Sequence, residues 1–135
     1  MLDVICGFPG IGKTYYAKKY GVFDSDSSKF SKDGFPRNYI EYIKSLNGTV
    51  LVSTHREVRD MLADEDISFA LVYPSMECKE EYVERYKDRG SPASFIELLK
   101  NNWEVWVKEM IKEDRAYLHF VLGPGKFLSD VRSEF

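Results

Sequence analysis

The sequence is poor in cysteine, histidine and proline, and it has no hydrophobic run long enough to cross a bilayer. Two cysteines in 135 residues, Cys6 and Cys78, are too few for a disulfide framework. Neither has a Cys or His neighbour at metal-ligand spacing, which excludes a structural zinc site of the usual kind. A reduced cytosolic interior is the expected setting, with Cys6 a small core residue. The 19 Lys and Arg against 22 Asp and Glu give a formal charge of -3 and form no basic block. Duplex affinity depends on neutralising several phosphates, so a broad nucleic-acid-binding face is not expected, although a local basic cleft stays open. No internal repeat or low-complexity segment is present. Met1 leads straight into an apolar segment with no basic leader or cleavable signal, so the expectation is a soluble, cytoplasmic protein without a membrane partner.

The length suits a single domain over residues 1–135 with one core. Within it Gly7, Phe8, Pro9, Gly10, Ile11, Gly12, Lys13 and Thr14 fill every position of the phosphate-binding pattern G-x-x-x-x-G-K-[ST]. The pattern lies between an apolar run at 2–6 and a helix-compatible run from 13, which is the strand–loop–helix context it requires. Glycines admit backbone angles closed to other residues, so successive N–H groups can turn inward as an anion nest at a helix N-terminus. Lys13 adds an ammonium for the β- and γ-phosphates, and the Thr14 hydroxyl is a candidate ligand for Mg²⁺. A nucleoside triphosphate is the expected ligand.

The remainder alternates strand and helix. Strands are expected over 2–6, 22–23, 49–52, 67–73 and 117–122, and helices over 13–20, 37–45, 56–62, 76–89, 93–112 and 127–133. Asp24 and Asp26 follow the second strand at alternate positions. Beyond the carboxyl end of a parallel strand they are candidates for acid/base and metal work, or else a solvated turn that caps a helix. Arg37 opens a helix between strands two and three that could close over a phosphate acceptor, and it reads equally as a surface arginine. The third strand ends in Ser53-Thr54-His55, with no acid where many phosphate-loop enzymes carry one. His55 is a candidate phosphate or acceptor donor or a structural residue, and Arg56 and Arg59 follow near the cleft end. Arg85 and Arg89, four apart on one helix face, fit either a helix-dipole preference or a clamp on a transferring phosphoryl group. Ser91 or Ser94 is the expected cap of the next helix, in which Trp103 and Trp106 pack the core. Gly123, Pro124 and Gly125 follow the last strand, where their backbone could flank a base or simply turn the chain.

Such alternation opened by a phosphate loop implies a three-layer α/β/α sandwich. The residues resemble the nucleoside monophosphate kinase-like branch of phosphate-loop proteins, including the shikimate and gluconate kinases. The resemblance rests on residues 7–14, on Asp24-Ser25-Asp26, on the stretch from Ser53 to Arg59, and on Tyr82-Val83-Glu84-Arg85-Tyr86-Lys87-Asp88-Arg89-Gly90. More narrowly, Phe35-Pro36-Arg37-Asn38-Tyr39-Ile40, Val52-Ser53-Thr54-His55-Arg56-Glu57-Val58 and Asn102-Trp103 are similar to small phosphate-loop kinases of bacteriophages and bacteria.

The resemblance implies a P-loop NTPase fold with a five-stranded parallel sheet in the order 2-3-1-4-5, a short lid near 85–93, and Mg-ATP as donor. By position, Lys13 and Thr14 would hold phosphates and metal, and Asp24 and Asp26 would organise Mg²⁺ and the acceptor. Arg85 and Arg89 would clamp the transferring group; Arg37, Arg56 and Arg59 would contact the acceptor. The chain departs from the family in allowing only a few residues of lid after Arg89. The expected activity is transfer of the γ-phosphoryl group to a nucleotide or nucleotide-like small-molecule acceptor. The alternatives are a kinase for a hydroxyl on a metabolite or a DNA base or end, and a non-catalytic ATP-binding regulatory module.

Overall fold

Five short apolar runs pair into one parallel sheet, β1 (Leu2–Gly7), β2 (Phe23–Asp24), β3 (Gly48–Val52), β4 (Phe69–Pro74) and β5 (Leu118–Leu122), in the order β2-β3-β1-β4-β5. The structure, a computed structural model, describes residues 2–25 and 31–134, with residues 132–134 described through their backbone only. Asp26 therefore lies outside the described residues. The central strands are buried on both faces, β4 along its whole length and β1 from Val4 onward, which is why they read as continuous apolar runs rather than alternating ones.

The helices are α1 (Lys13–Tyr20), α2 (Arg37–Lys44), α3 (Arg56–Asp64), α4 (Lys79–Asp88) and α5 (Ala93–Ile111). Right-handed crossovers put a helix on one face when the chain moves one way across the sheet and on the other face when it moves back. The step from β1 to β2 therefore sets α1 on one side, and the later steps set α2, α3, α4 and α5 on the other. Contacts of α2 with α3 and of α4 with α5, and of α1 with the C-terminal segment, agree with that division. Each helix faces the sheet with an apolar stripe at helical spacing: Tyr39, Ile40 and Ile43 on α2, Val58 and Leu62 on α3, and Leu99, Trp103, Val107 and Met110 on α5. Burying each such side chain contributes about 1.5–3 kcal/mol.

Three local expectations are corrected. The helix expected over 76–89 is a 3-10 turn (Met76–Cys78) followed by α4, and Trp103 Nε1 donates to the Met76 carbonyl at that junction (2.8 Å). The C-terminal helix is a 3-10 segment (Leu128–Glu134) with a kink at Val131. Pro92, not a serine, stands at the N-terminus of α5, and Ser91 accepts instead from Arg89 Nε. Among the described residues no helix is long and apolar enough to cross a membrane.

The topology decides where a ligand site can form. The chain leaves β1 toward β3 and β2 and then returns past β1 to β4, so the sheet changes direction beside β1. Open parallel sheets bind ligands beyond the carboxyl ends of their strands at such a switch, and there the chain places residues 7–14.

Candidate functional site

Every carbonyl oxygen of residues 7–12 accepts a hydrogen bond. Lys13 Nζ donates to Gly7 O (2.7 Å), the Ile11 amide to Phe8 O (3.4 Å), the Tyr86 hydroxyl to Pro9 O (2.8 Å) and Arg85 Nη1 to Gly10 O (2.8 Å). The Leu128 amide donates to Ile11 O (2.8 Å) and the Tyr16 amide to Gly12 O (3.0 Å). Carbonyl oxygens would repel an anion, and here each is already taken by a donor. Phe8 and Ile11 are buried beneath the loop, with Phe8 set edge-on to Tyr82 and Trp103. The motif leaves those two positions open; in this chain they anchor the loop to the core.

At two of the positions the backbone angle itself calls for glycine. Gly10 and Gly12 have φ of 94° and 91°, a left-handed region that costs other residues about 1–2 kcal/mol. A Cβ on Gly10 would lie 2.9 Å from the Tyr86 ring, and one on Gly12 would lie 3.2 Å from Phe127. Close packing of Tyr86 and Phe127 thus holds the loop's curvature.

The loop forms one wall of a cleft of about 760 Å³. Lys13, Thr14 and Tyr15 at the start of α1, Asp24 and Ser25 after β2, Ser53 after β3, and Arg85, Asp88, Arg89 and Phe127 complete its lining. Strand register explains the grouping: Asp24 lies opposite Leu51, and Cys6 opposite Val52, so the ends of β1, β2 and β3 stand side by side. The Thr14 hydroxyl donates to Asp24 Oδ2 (3.1 Å) at the mouth of the glycine loop. The Ser25 backbone is fixed from both sides, its amide donating to Leu51 O (3.0 Å) and its carbonyl accepting from the Tyr39 hydroxyl (2.7 Å).

The expected arginines separate. Arg85 braces the loop: besides Gly10 O it donates to Lys126 O (2.9 Å) and Glu81 (2.6 Å), and its guanidinium lies between the rings of Tyr82 and Phe127 at 4.2 and 3.8 Å. Arg89 is exposed on the cleft, resting on Tyr86 and Phe95. The lid expected near 85–93 is the last turn of α4 and a short link to α5 through Gly90.

Arg37, His55, Arg56 and Arg59 are not among the described residues lining this cleft. Arg37 pairs with Glu65 (2.8 Å) on the surface, and His55 is exposed at the start of α3. Arg59 is buried: Nε donates to Thr54 O (2.9 Å), Nη1 to Glu113 (2.7 Å) and Nη2 to Glu109. The Arg115 guanidinium, joined by Arg59, holds the buried Glu113 carboxyl down to about 2. Arg56 and Arg59 line a second cleft of about 440 Å³, between α3 and α5, together with Lys108, Lys112 and Arg115.

Nor do Gly123, Pro124 and Gly125 reach the main cleft. The Gly125 amide donates to both Glu81 carboxylate oxygens (2.9 and 3.1 Å), which ties this turn to α4, and Phe127 just beyond it is the residue that faces the cleft. Sequence reasoning passed over Phe127, Tyr86, Ser25 and Ser53 as site residues. A signal existed for Ser25, which sits between the two aspartates already singled out.

The arrangement defines a class by shape: a parallel five-stranded α/β sheet with helices on both faces and a glycine loop at its switch point. No protein-family model matches the chain, and no curated protein is similar to it in sequence. Among solved structures, an uncharacterized protein from Eubacterium ventriosum is similar over 99% of this chain and 96% of that one, with a TM-score of 0.50 at 10% sequence identity. At that identity the likeness concerns the fold alone.

Proposed function

We propose that this chain is a P-loop NTPase of the kinase kind, an ATP-dependent phosphotransferase that moves the γ-phosphoryl group of Mg-ATP to a nucleotide or nucleotide-like acceptor. One observation carries the reading: a glycine loop with every carbonyl from 7 to 12 engaged, opening beside a threonine hydroxyl bonded to an aspartate. Such a loop offers an anion its amides and the Lys13 ammonium, while donors other than Lys13 hold the carbonyls of residues 8–12.

Magnesium fits the donors present, because it favours oxygen ligands and is commonly held by one or two carboxylates together with substrate phosphates. Among the described residues no group of three acidic, His or Cys side chains could hold a metal alone, so the triphosphate would supply the remaining ligands. Thr14 and Asp24 would hold the ion, with Asp26 the further acid expected from the sequence. When bound, the ion neutralises charge on the phosphates. Lys13 would leave its contact with Gly7 O to bind phosphate oxygens. Asp24 or Asp26 would orient the acceptor oxygen and draw off its proton, while Arg89, exposed on the cleft, stabilises the charge of the transferring group. In this account Arg85 positions the loop. A cytoplasmic setting suits two buried free thiols.

Incubating the protein with Mg-ATP and a panel of nucleosides and nucleoside monophosphates tests the acceptor. ADP and a phosphorylated nucleotide should form together, whereas ADP at background with every member rejects a nucleotide acceptor. Label found instead in a metabolite or a DNA end would mark the alternative hydroxyl acceptors. A non-catalytic ATP-binding module is favoured by one feature, Ser53 where an acid is usual, and it predicts binding without transfer to any acceptor.

A further inference from the structure

Ser25 and Ser53 have buried hydroxyl oxygens that no described protein group hydrogen-bonds, and both line the main cleft. Tyr82 carries the third such atom among the described residues, and it lies under the glycine loop rather than in the cleft. Buried polar groups are ordinarily satisfied, and leaving one unmade costs the desolvation of that group. Two that line one cleft amount to an unmet demand for a polar ligand.

Their placement specifies the ligand. Ser25 is 9% exposed and follows Asp24 directly. With its amide and carbonyl both bonded to protein, only its side chain is available to the cleft. Ser53 follows the neighbouring strand β3 directly, at the position where the sequence has no acid. With Thr14 bonded to Asp24 between the loop and β2, the three elements present one carboxylate and three hydroxyls. Hydroxyls both accept and donate. Mg²⁺ dehydrates reluctantly and usually keeps several waters, each a strong donor that needs an acceptor.

We propose that Ser25 and Ser53 hold the water shell of the divalent cation at the Thr14–Asp24 pair, Ser53 taking the part that an acidic side chain would otherwise play. The inference rests on the Mg-ATP reading above. Neutral acceptors hold a hydrated cation more weakly than a carboxylate does, so an acid at position 53 should tighten the site.

The test is ATP binding measured by calorimetry as a function of Mg²⁺ concentration, with wild type, Ser25→Ala, Ser53→Ala and Ser53→Asp. Each alanine variant should raise the Mg²⁺ concentration for half-maximal effect by about two- to tenfold, the loss of one hydrogen bond, and Ser53→Asp should lower it. With EDTA present the two alanine variants should bind ATP as wild type does, while Ser53→Asp, its carboxylate no longer offset by a cation, should bind it more weakly. Thermal unfolding of the metal-free alanine variants should match or exceed wild type, because each lacks a hydroxyl that is left unsatisfied in the protein. An unchanged Mg²⁺ requirement in both alanine variants overturns the assignment. So does a change confined to the KM of an acceptor, or a clear fall in Tm, which would reveal an existing protein partner. A wild type that binds no ATP with or without Mg²⁺ would instead reject the Mg-ATP reading itself, and the inference with it.

Discussion

Gly10 and Gly21 have left-handed backbones of similar cost and very different surroundings. A Cβ at Gly21 meets nothing within 4 Å, whereas one at Gly10 strikes the Tyr86 ring. Gly21→Ala should lower stability by about 1–2 kcal/mol. Gly10→Ala should cost more, since Tyr86 must move and release Pro9 O. Urea unfolding of the two variants checks the order, and equal losses would mean that the loop is not clamped. Cys6 is a second residue-scale case. Burial pushes its thiol up to about 12, so native protein at pH 8 should resist alkylation at Cys6 and react there only after unfolding. The glycines were legible as a pattern because the motif states which backbone angles are needed. Phe8 and Ile11 were not, because their anchoring role depends on Tyr82 and Trp103, far along the chain.

At the scale of elements, α4 is the brace of the glycine loop. Arg85 and Tyr86 donate to two of its carbonyls, and Glu81 fixes the turn at Gly125. Arg85→Met should destabilise the fold by about 1.5–3 kcal/mol, the range for hydrogen bonds made by a charged group, and should weaken triphosphate binding alongside. A variant with wild-type stability would remove the brace from the account. The spacing of Arg85 and Arg89 placed them on one face in sequence reasoning. It could not tell that only Arg89 remains exposed on the cleft, because that depends on Phe127 and Lys126 closing over Arg85. Arg59 lies outside the main cleft for a reason of the same kind: its partners Glu109 and Glu113 belong to α5 and the residues just after it, some fifty positions away.

Glu113, held first by Arg115 and then by Arg59, carries a pH prediction. Glu113 is depressed from 4.5 to about 2 in the folded state, so its stabilisation is present above 4.5 and is lost as pH falls toward 2. Glu113→Gln should flatten the stability–pH curve in that window. At pH 7 it should lower stability by about 1.5–3 kcal/mol, the range for a hydrogen bond to a charged group, because Arg59 stays buried with Glu109 as its remaining counter-charge. Urea midpoints measured across the acid range would show either the flattening or its absence.

For the whole molecule, alternating apolar runs and helical stripes were enough to read the element order, and the family resemblance supplied the sheet order that the structure has. What stayed hidden was the division of the basic residues between two clefts. Sequence gives the position of an arginine along a helix, while the packing of α3 against α5 decides which groove it enters. The central claim is that the main cleft binds a magnesium-bound triphosphate through the glycine loop. Calorimetric titration of Mg-ATP into wild type and Lys13→Ala, both shown folded by circular dichroism, tests it most directly. Wild type should bind saturably and one-to-one, and Lys13→Ala at least about tenfold more weakly, for the loss of a charge-assisted bond. No binding by wild type, or equal binding by both proteins, would contradict it.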